Sequence, residues 1–142
     1  MRRLIAVGVI LAAVVPALAL GSAAKTVKLE AKLAGKNEVP KAAGATGEAY
    51  VQITGTKVCW QFTDLKGIAG ATASHIHKGG ATTAGPVVLP LGGAFKKTGC
   101  TSAPASVGAA IAANPKAFYV NIHNAKYPAG ALRGQLGEAD SS

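Results

Sequence analysis

Phe118-Tyr119-Val120-Asn121-Ile122-His123 alternates a large apolar residue with a polar or amphipathic one at every step. A period of two belongs to a β-strand, whose successive side chains leave opposite faces. Phe118, Val120 and Ile122 therefore share one face, and Tyr119, Asn121 and His123 share the other. The period recurs along the chain. Val27, Leu29, Ala31 and Leu33 alternate with Lys28, Glu30, Lys32 and Ala34, leaving one wet face. Val58, Trp60 and Phe62, with Asp64 next in the series, alternate with Cys59, Gln61 and Thr63. Ala49, Val51 and Ile53 form another strand, and the short Thr54-Gly55-Thr56 link suits a hairpin.

Stretches 71–77, 86–91, 94–100 and 131–136 also read as short strands between glycine turns, whereas 36–45 and 78–85 read as loops. Only 104–113 has helical character. There Val107, Ala110 and Ile111 share a face, Ser102 can cap the start and Asn114-Pro115 can stop it. Seven or eight short strands with one short helix predict an all-β antiparallel sandwich or closed barrel rather than βαβ units. No internal repeat or second domain is evident, and 138–142 reads as a frayed tail.

At the N-terminus, Met1-Arg2-Arg3 precedes an apolar run from Leu4 to Leu20 broken only by Gly8 and Pro16. Basic start, apolar middle and small residues at Ala17, Ala19, Ala23 and Ala24 fit a cleavable signal peptide over residues 1–24. Cleavage after Ala19, Ala23 or Ala24 satisfies the small-x-small rule equally. A retained anchor is the competing reading, but about 17 helical residues span roughly 25 Å, short of the ~30 Å hydrocarbon core. No cysteine near the cleavage region offers a lipid attachment point, and no later segment is apolar enough to span a membrane. A secreted or periplasmic domain over residues 25–142 is the expectation, large enough to bury a core of its own.

Export bears on the two cysteines. Cys59 and Cys100 would meet an oxidising compartment and are expected to pair. Closing a loop of about 42 residues stabilises by roughly 4 kcal/mol in the chain-entropy treatment. Two separate buried thiols are the alternative. Loss of Arg2 and Arg3 with the leader lowers the formal net charge from +9 to +7. The lysines are scattered, with only Lys96-Lys97 adjacent, and Arg133 is the single arginine after the leader. That pattern suits solubility and edge protection and argues against a nucleic-acid partner.

The chemistry-bearing residues are the three histidines. In His75-Ile76-His77 a strand puts both imidazoles on one face. If that strand pairs with 117–123, His123 completes a three-imidazole site of a kind suited to Cu or Zn. The plainer reading is that these imidazoles donate to loop carbonyls and knit 78–85 onto the sheet. The acids are few, namely Glu30, Glu38, Glu48, Asp64, Glu138 and Asp140, and none stands beside the histidines in sequence. No nucleophile elbow, phosphate-binding glycine loop, CxxC pair or HExxH helix is present, so no catalytic residue is assigned. Tyr127-Pro128-Ala129-Gly130 has the makings of a tight turn that aims Arg133 from the next strand. Arg133 suits a clamp on loop carbonyls or, less plainly, an anion site. Asn121 is a candidate for loop backbone groups, and Tyr119 and Tyr127 for packing over the histidines.

The blocks Asn37-Glu38-Val39-Pro40, His75-Ile76-His77-Lys78-Gly79, Tyr119-Val120-Asn121-Ile122-His123 and Tyr127-Pro128-Ala129-Gly130-Ala131-Leu132-Arg133-Gly134-Gln135-Leu136 together resemble the CHRD domain, named after chordin and also found in secreted bacterial proteins. The resemblance runs from Lys28 to Leu136. It implies an immunoglobulin-like β-sandwich or barrel distantly similar to copper-zinc superoxide dismutase, but no settled activity. This chain departs from the family pattern at Ala131, where a glutamate is usual, and at Lys41, where a second proline often follows. The first departure removes an acid and lowers any catalytic expectation. Dismutase activity is not implied, since three histidines cannot supply its ligand set. Two functional classes stand foremost: a noncatalytic extracytoplasmic domain whose partner is unidentified, an extracytoplasmic protein or a polysaccharide being the candidates, and a copper- or zinc-binding protein using His75, His77 and His123. An enzyme with a shallow, loop-lined pocket is a third.

Overall fold

The computed structural model describes residues 23–42 and 44–140. The leader assigned to 1–24 lies outside them except for Ala23 and Ala24. Nine strands form one antiparallel sheet: β1 (Thr26–Ala34), β2 (Thr46–Thr54), β3 (Lys57–Lys66), β4 (Ala71–Lys78), β5 (Val87–Pro90), β6 (Thr98–Ser102), β7 (Phe118–Asn124), β8 (Leu132–Gln135) and β9 (Gly137–Glu138). The order across the sheet is β5-β4-β7-β8-β1-β2-β3-β6, with β9 added beside β1.

One segment curls this sheet upon itself. After β5, at one edge, the chain runs back along β4, where Leu91 N–H and Phe95 N–H donate to the carbonyls of Ser74 and Thr72. It then reaches β3 near the opposite edge, where Lys97 O accepts from Phe62 N–H at 2.7 Å and Lys96 O from the Trp60 indole at 3.0 Å. Stretch 91–97 thus bridges the two ends of the sheet, and Phe62 stacks on Phe95 inside the closure at 5.6 Å. The all-β sandwich-or-barrel expectation holds, in the form of a single rolled sheet around one core. That core takes Leu29, Val51, Trp60, Phe62, Ile76, Phe118, Val120, Ile122 and Leu132 from most of the strands. Trp60 lies across Gly99, its register partner on β6, where a Cβ would come within 2.6 Å of the ring. Glycine is what lets the indole lie flat there.

Local differences from the sequence reading have plain causes. The strand expected over 94–100 begins only at Thr98, because 91–97 serves as the bridge. Asp64 leaves the inward series: it is exposed, with φ at 49°. Helix α1 (Ala105–Ala113) starts at Pro104 without a side-chain cap, and Ser102, the expected cap, ends β6 instead. Its buried positions are Gly108 and Ile111 with Val107 and Ala112 beside them, while Ala110 is exposed. Gly108 is drawn inward by close approach to the Gly55 carbonyl. Two short 3-10 turns, Gly35–Asn37 and Pro115–Ala117, join α1 as helical elements. The tail is not frayed at its start: Leu29 and Glu30 pair with Glu138 and Gly137, and Ala139 N–H donates to Lys28 O.

Cys59 and Cys100 stand opposite one another on β3 and β6 and are joined, with S–S at 2.10 Å and Cα–Cα at 4.0 Å. The bond ties edge strand β6 to its neighbour. Among the described residues no helix is long and apolar enough to cross a membrane.

Candidate metal centre

Strands β4, β7 and β8 lie side by side. Their register sets His75 against Asn121, His77 against Tyr119, Asn121 against Arg133 and Tyr119 against Gln135. Alternation then collects His75, His77, Tyr119, Asn121, His123, Arg133 and Gln135 on the one face turned away from the core. Tyr119, Asn121 and Arg133 are nevertheless buried, at 3%, 1% and 2% exposure.

Loops provide the cover, and the sheet's own side chains hold them down. The Arg133 guanidinium donates to Thr83 O at 2.8 Å and to Gly80 O, and lies 3.4 Å from the Tyr119 ring centroid. Gln135 Nε2 donates to Gly79 O at 2.7 Å, and the Tyr119 hydroxyl accepts from Gly85 N–H at 3.1 Å. His77 Nδ1 faces Gly85 O at 2.8 Å. On the other side His123 Nδ1 faces Pro128 O at 2.9 Å. Arg133, His77 and His123 thus each reach a loop carbonyl.

The same two carbonyls fix the histidine tautomers. A carbonyl only accepts, so His77 and His123 each carry hydrogen on Nδ1, and the lone pair sits on Nε2. His77 Nε2 is buried and has no hydrogen-bond partner. His123 Nε2 lies 3.0 Å from His75 Nδ1 and 2.9 Å from the Asn121 amide. Rotation of that amide lets either its oxygen or its NH2 serve this nitrogen. His75 Nε2 has no protein partner among the described residues, so His75 can hold its proton there and free Nδ1. One nitrogen from each of His75, His77 and His123 thus converges, all within 4.8 Å of one another. Ligation at about 2.0–2.1 Å allows separations up to about 4.2 Å, so a small rotation of one ring brings the set onto a single ion. Convergence and loop tethering, which the sequence set up as rivals, coexist because each imidazole has two nitrogens.

Electrostatics favour the neutral form of His75 and His77. Burial, then the His123 and His77 rings, lower the His75 pKa from 6.5 to about 4. Burial also lowers that of His77, against the raising effect of its bond to Gly85; His123 and Arg133 add to the lowering. No carboxylate figures among the groups acting on either ring.

Two placements depart from expectation. Asn121 serves the histidines rather than loop backbone, because its side chain leaves the strand between His75 and His123. The Tyr127 ring stacks on none of the histidines and instead faces the Lys126 ammonium at 5.4 Å. Its backbone makes the turn, with N–H on Asn124 Oδ1 and C=O accepting from Gly130 N–H. Glu38 is the residue that sequence reasoning passed over. It is 4% exposed, and burial raises its pKa from 4.5 to about 7 despite Arg133 and the Val39 N–H, which act the other way. Gly130, at φ 147°, makes room for it: a Cβ there would meet its carboxylate at 2.4 Å. Gln135 was also passed over, although it sits two residues from Arg133 and so shares its face.

A cleft of about 350 Å³ beside Arg133 is lined by Lys36, Glu38, Lys41, Thr82 and Gln135, among others. None of the histidines lines it, so the shifted imidazoles and the cleft do not make one catalytic set.

No curated protein and no solved structure matches this chain. The family model for the CHRD domain matches residues 29–136, a span that holds the rolled sheet, the disulfide and all three histidines. On that match the chain belongs to the CHRD domain family.

Proposed function

We propose that this is an exported, noncatalytic binding domain whose ligand is a copper or zinc ion held by His75, His77 and His123. One observation carries the reading: three imidazole nitrogens converge, two of them on rings oriented by a backbone carbonyl at the far nitrogen. That is how ligating histidines are set, with the second nitrogen donating to a carbonyl so that tautomer and ring direction are fixed. The bound ion would be held in place by neutral nitrogens, with loop 79–85 excluding water. Export is supported by the signal-like leader, the disulfide and the extracellular type of the family.

Calorimetric titration of metal-free mature protein with Cu and Zn tests the reading, beside a His75→Ala/His77→Ala double variant. The expected outcome is saturable one-to-one uptake that the double variant loses. Proton competition would ordinarily begin below pH ~6 for imidazole ligands. Burial lowers the His75 pKa from 6.5 to about 4, so its own share of that competition moves to lower pH. Folded wild type that takes up neither ion overturns the proposal. The histidines would then serve as loop tethers in a domain whose partner is an extracytoplasmic protein or polysaccharide.

A further inference from the structure

We infer that the ion this site selects is monovalent copper, in preference to Cu(II) or Zn(II); the inference rests on the metal-binding reading above. The ligand set is three neutral imidazoles. No carboxylate figures among the groups acting on His75 or His77, and the one formal charge that does is the Arg133 guanidinium, which is positive. Arg133 cannot move away: it is 2% exposed, bonded to Thr83 O and Gly80 O, and laid on the Tyr119 ring that itself stacks on His77 at 4.8 Å. A cation bound here sits among neutral ligands near a fixed positive charge, which the Glu38 carboxyl, with its pKa raised to about 7, only partly offsets at neutral pH. The cost of burying charge grows with its square, so a dication pays about four times what a monocation does. Repulsion from Arg133 doubles as well.

Coordination number points the same way. Zn(II) takes four ligands, and a three-histidine site completes them with water or hydroxide. Hydroxide would also lower the charge. His77 Nε2 is sealed from solvent, though His75 and His123 are half-buried, and the other polar side chain seen at the centre among the described residues is the neutral amide of Asn121. A d10 monovalent ion is satisfied by three nitrogens and needs neither a fourth ligand nor a counter-charge. Imidazole suits copper in either state, so charge and coordination number decide between the two.

The test is competition titration of the mature protein in anaerobic buffer. Cu(I) is measured against bathocuproine disulfonate, and Zn(II) and Cu(II) each against a chromophoric chelator of known affinity. Cu(I) is expected to bind at least tenfold tighter than either divalent ion. Asn121→Asp, which puts a carboxylate beside His123 at almost unchanged volume, should narrow that preference by tenfold or more. Circular dichroism reports whether this variant folds, and the wild-type comparison decides the matter if it does not. Tighter binding of Zn(II) or Cu(II) by wild type overturns the monovalent assignment while leaving a metal site in place. An Asn121→Asp variant that folds and keeps the wild-type preference overturns the charge argument. Uptake of no ion by folded wild type overturns both this inference and the reading beneath it.

Discussion

Phe118, Val120 and Ile122 on β7 point into an apolar core, while Tyr119, Asn121 and His123, each one residue further on, point into a polar layer that is nearly as well covered. The first set is covered by the rest of the rolled sheet, through Trp60, Phe62, Ile76 and Leu132. The second is covered by loops 79–85 and 125–130, whose apolar side chains are small apart from Tyr127 and Pro128. Those loops stay because the strand residues hydrogen-bond their backbone. Burial depth alone therefore does not separate a core from a site. What separates them is whether the cover is held by contact area or by named donors and acceptors.

The apolar face should give the largest response. Phe118→Ala removes a ring that is 5% exposed and should cost about 3–5 kcal/mol by denaturant titration. A cost below about 1 kcal/mol would mean that this face is not the dry core described, and the contrast between the two faces would fail.

The polar face should respond less in stability and more in local order. Arg133→Met keeps an extended apolar stem but removes both donations to the loop, and should cost about 2–3 kcal/mol. Amide exchange over 79–85 should accelerate while Val120 and Ile122 stay protected. Uniform acceleration across the sheet would show that Arg133 supports the fold at large rather than the loop.

The two faces were also unequally legible in the sequence. Alternation in 118–123, 27–33 and 58–62 was enough for the strands, the core and the juxtaposition of the three histidines, since period fixes face and pairing fixes neighbours. The disulfide followed from two cysteines in a chain read as exported. What alternation cannot show is where a side chain goes once a loop is laid over it. Asn121 was rightly placed on the histidine face, yet its partner turned out to be a ring nitrogen rather than backbone. Glu38 lies in an irregular stretch with no period, and its burial depends on Gly130, which is remote in sequence. The 91–97 bridge looked like a strand because it is extended, but its hydrogen bonds go to two strands at opposite ends of the sheet.

The smallest expected effect sets two titratable groups, buried Glu38 and half-buried His75, against each other in metal-free protein. Glu38 has its pKa raised from 4.5 to about 7, so between those values the folded state keeps a proton that the unfolded chain has lost. Its contribution to stability therefore falls as pH rises from 4.5 to 7. His75 runs the other way: its pKa drops from 6.5 to about 4, so the unfolded chain takes up a proton that the fold refuses. That contribution falls as pH drops from 6.5 toward 4. Over the shared window the slopes oppose, and wild-type stability should vary little. Glu38→Gln removes one of them, because glutamine does not titrate. Its melting temperature should climb visibly between pH 4.5 and 6.5, and by pH 7.5 it should exceed wild type by on the order of a few degrees. Parallel melting profiles for the two proteins from pH 4 to 8 would mean that Glu38 ionises as freely in the fold as in the unfolded chain. The burial that raises its pKa would then be wrong.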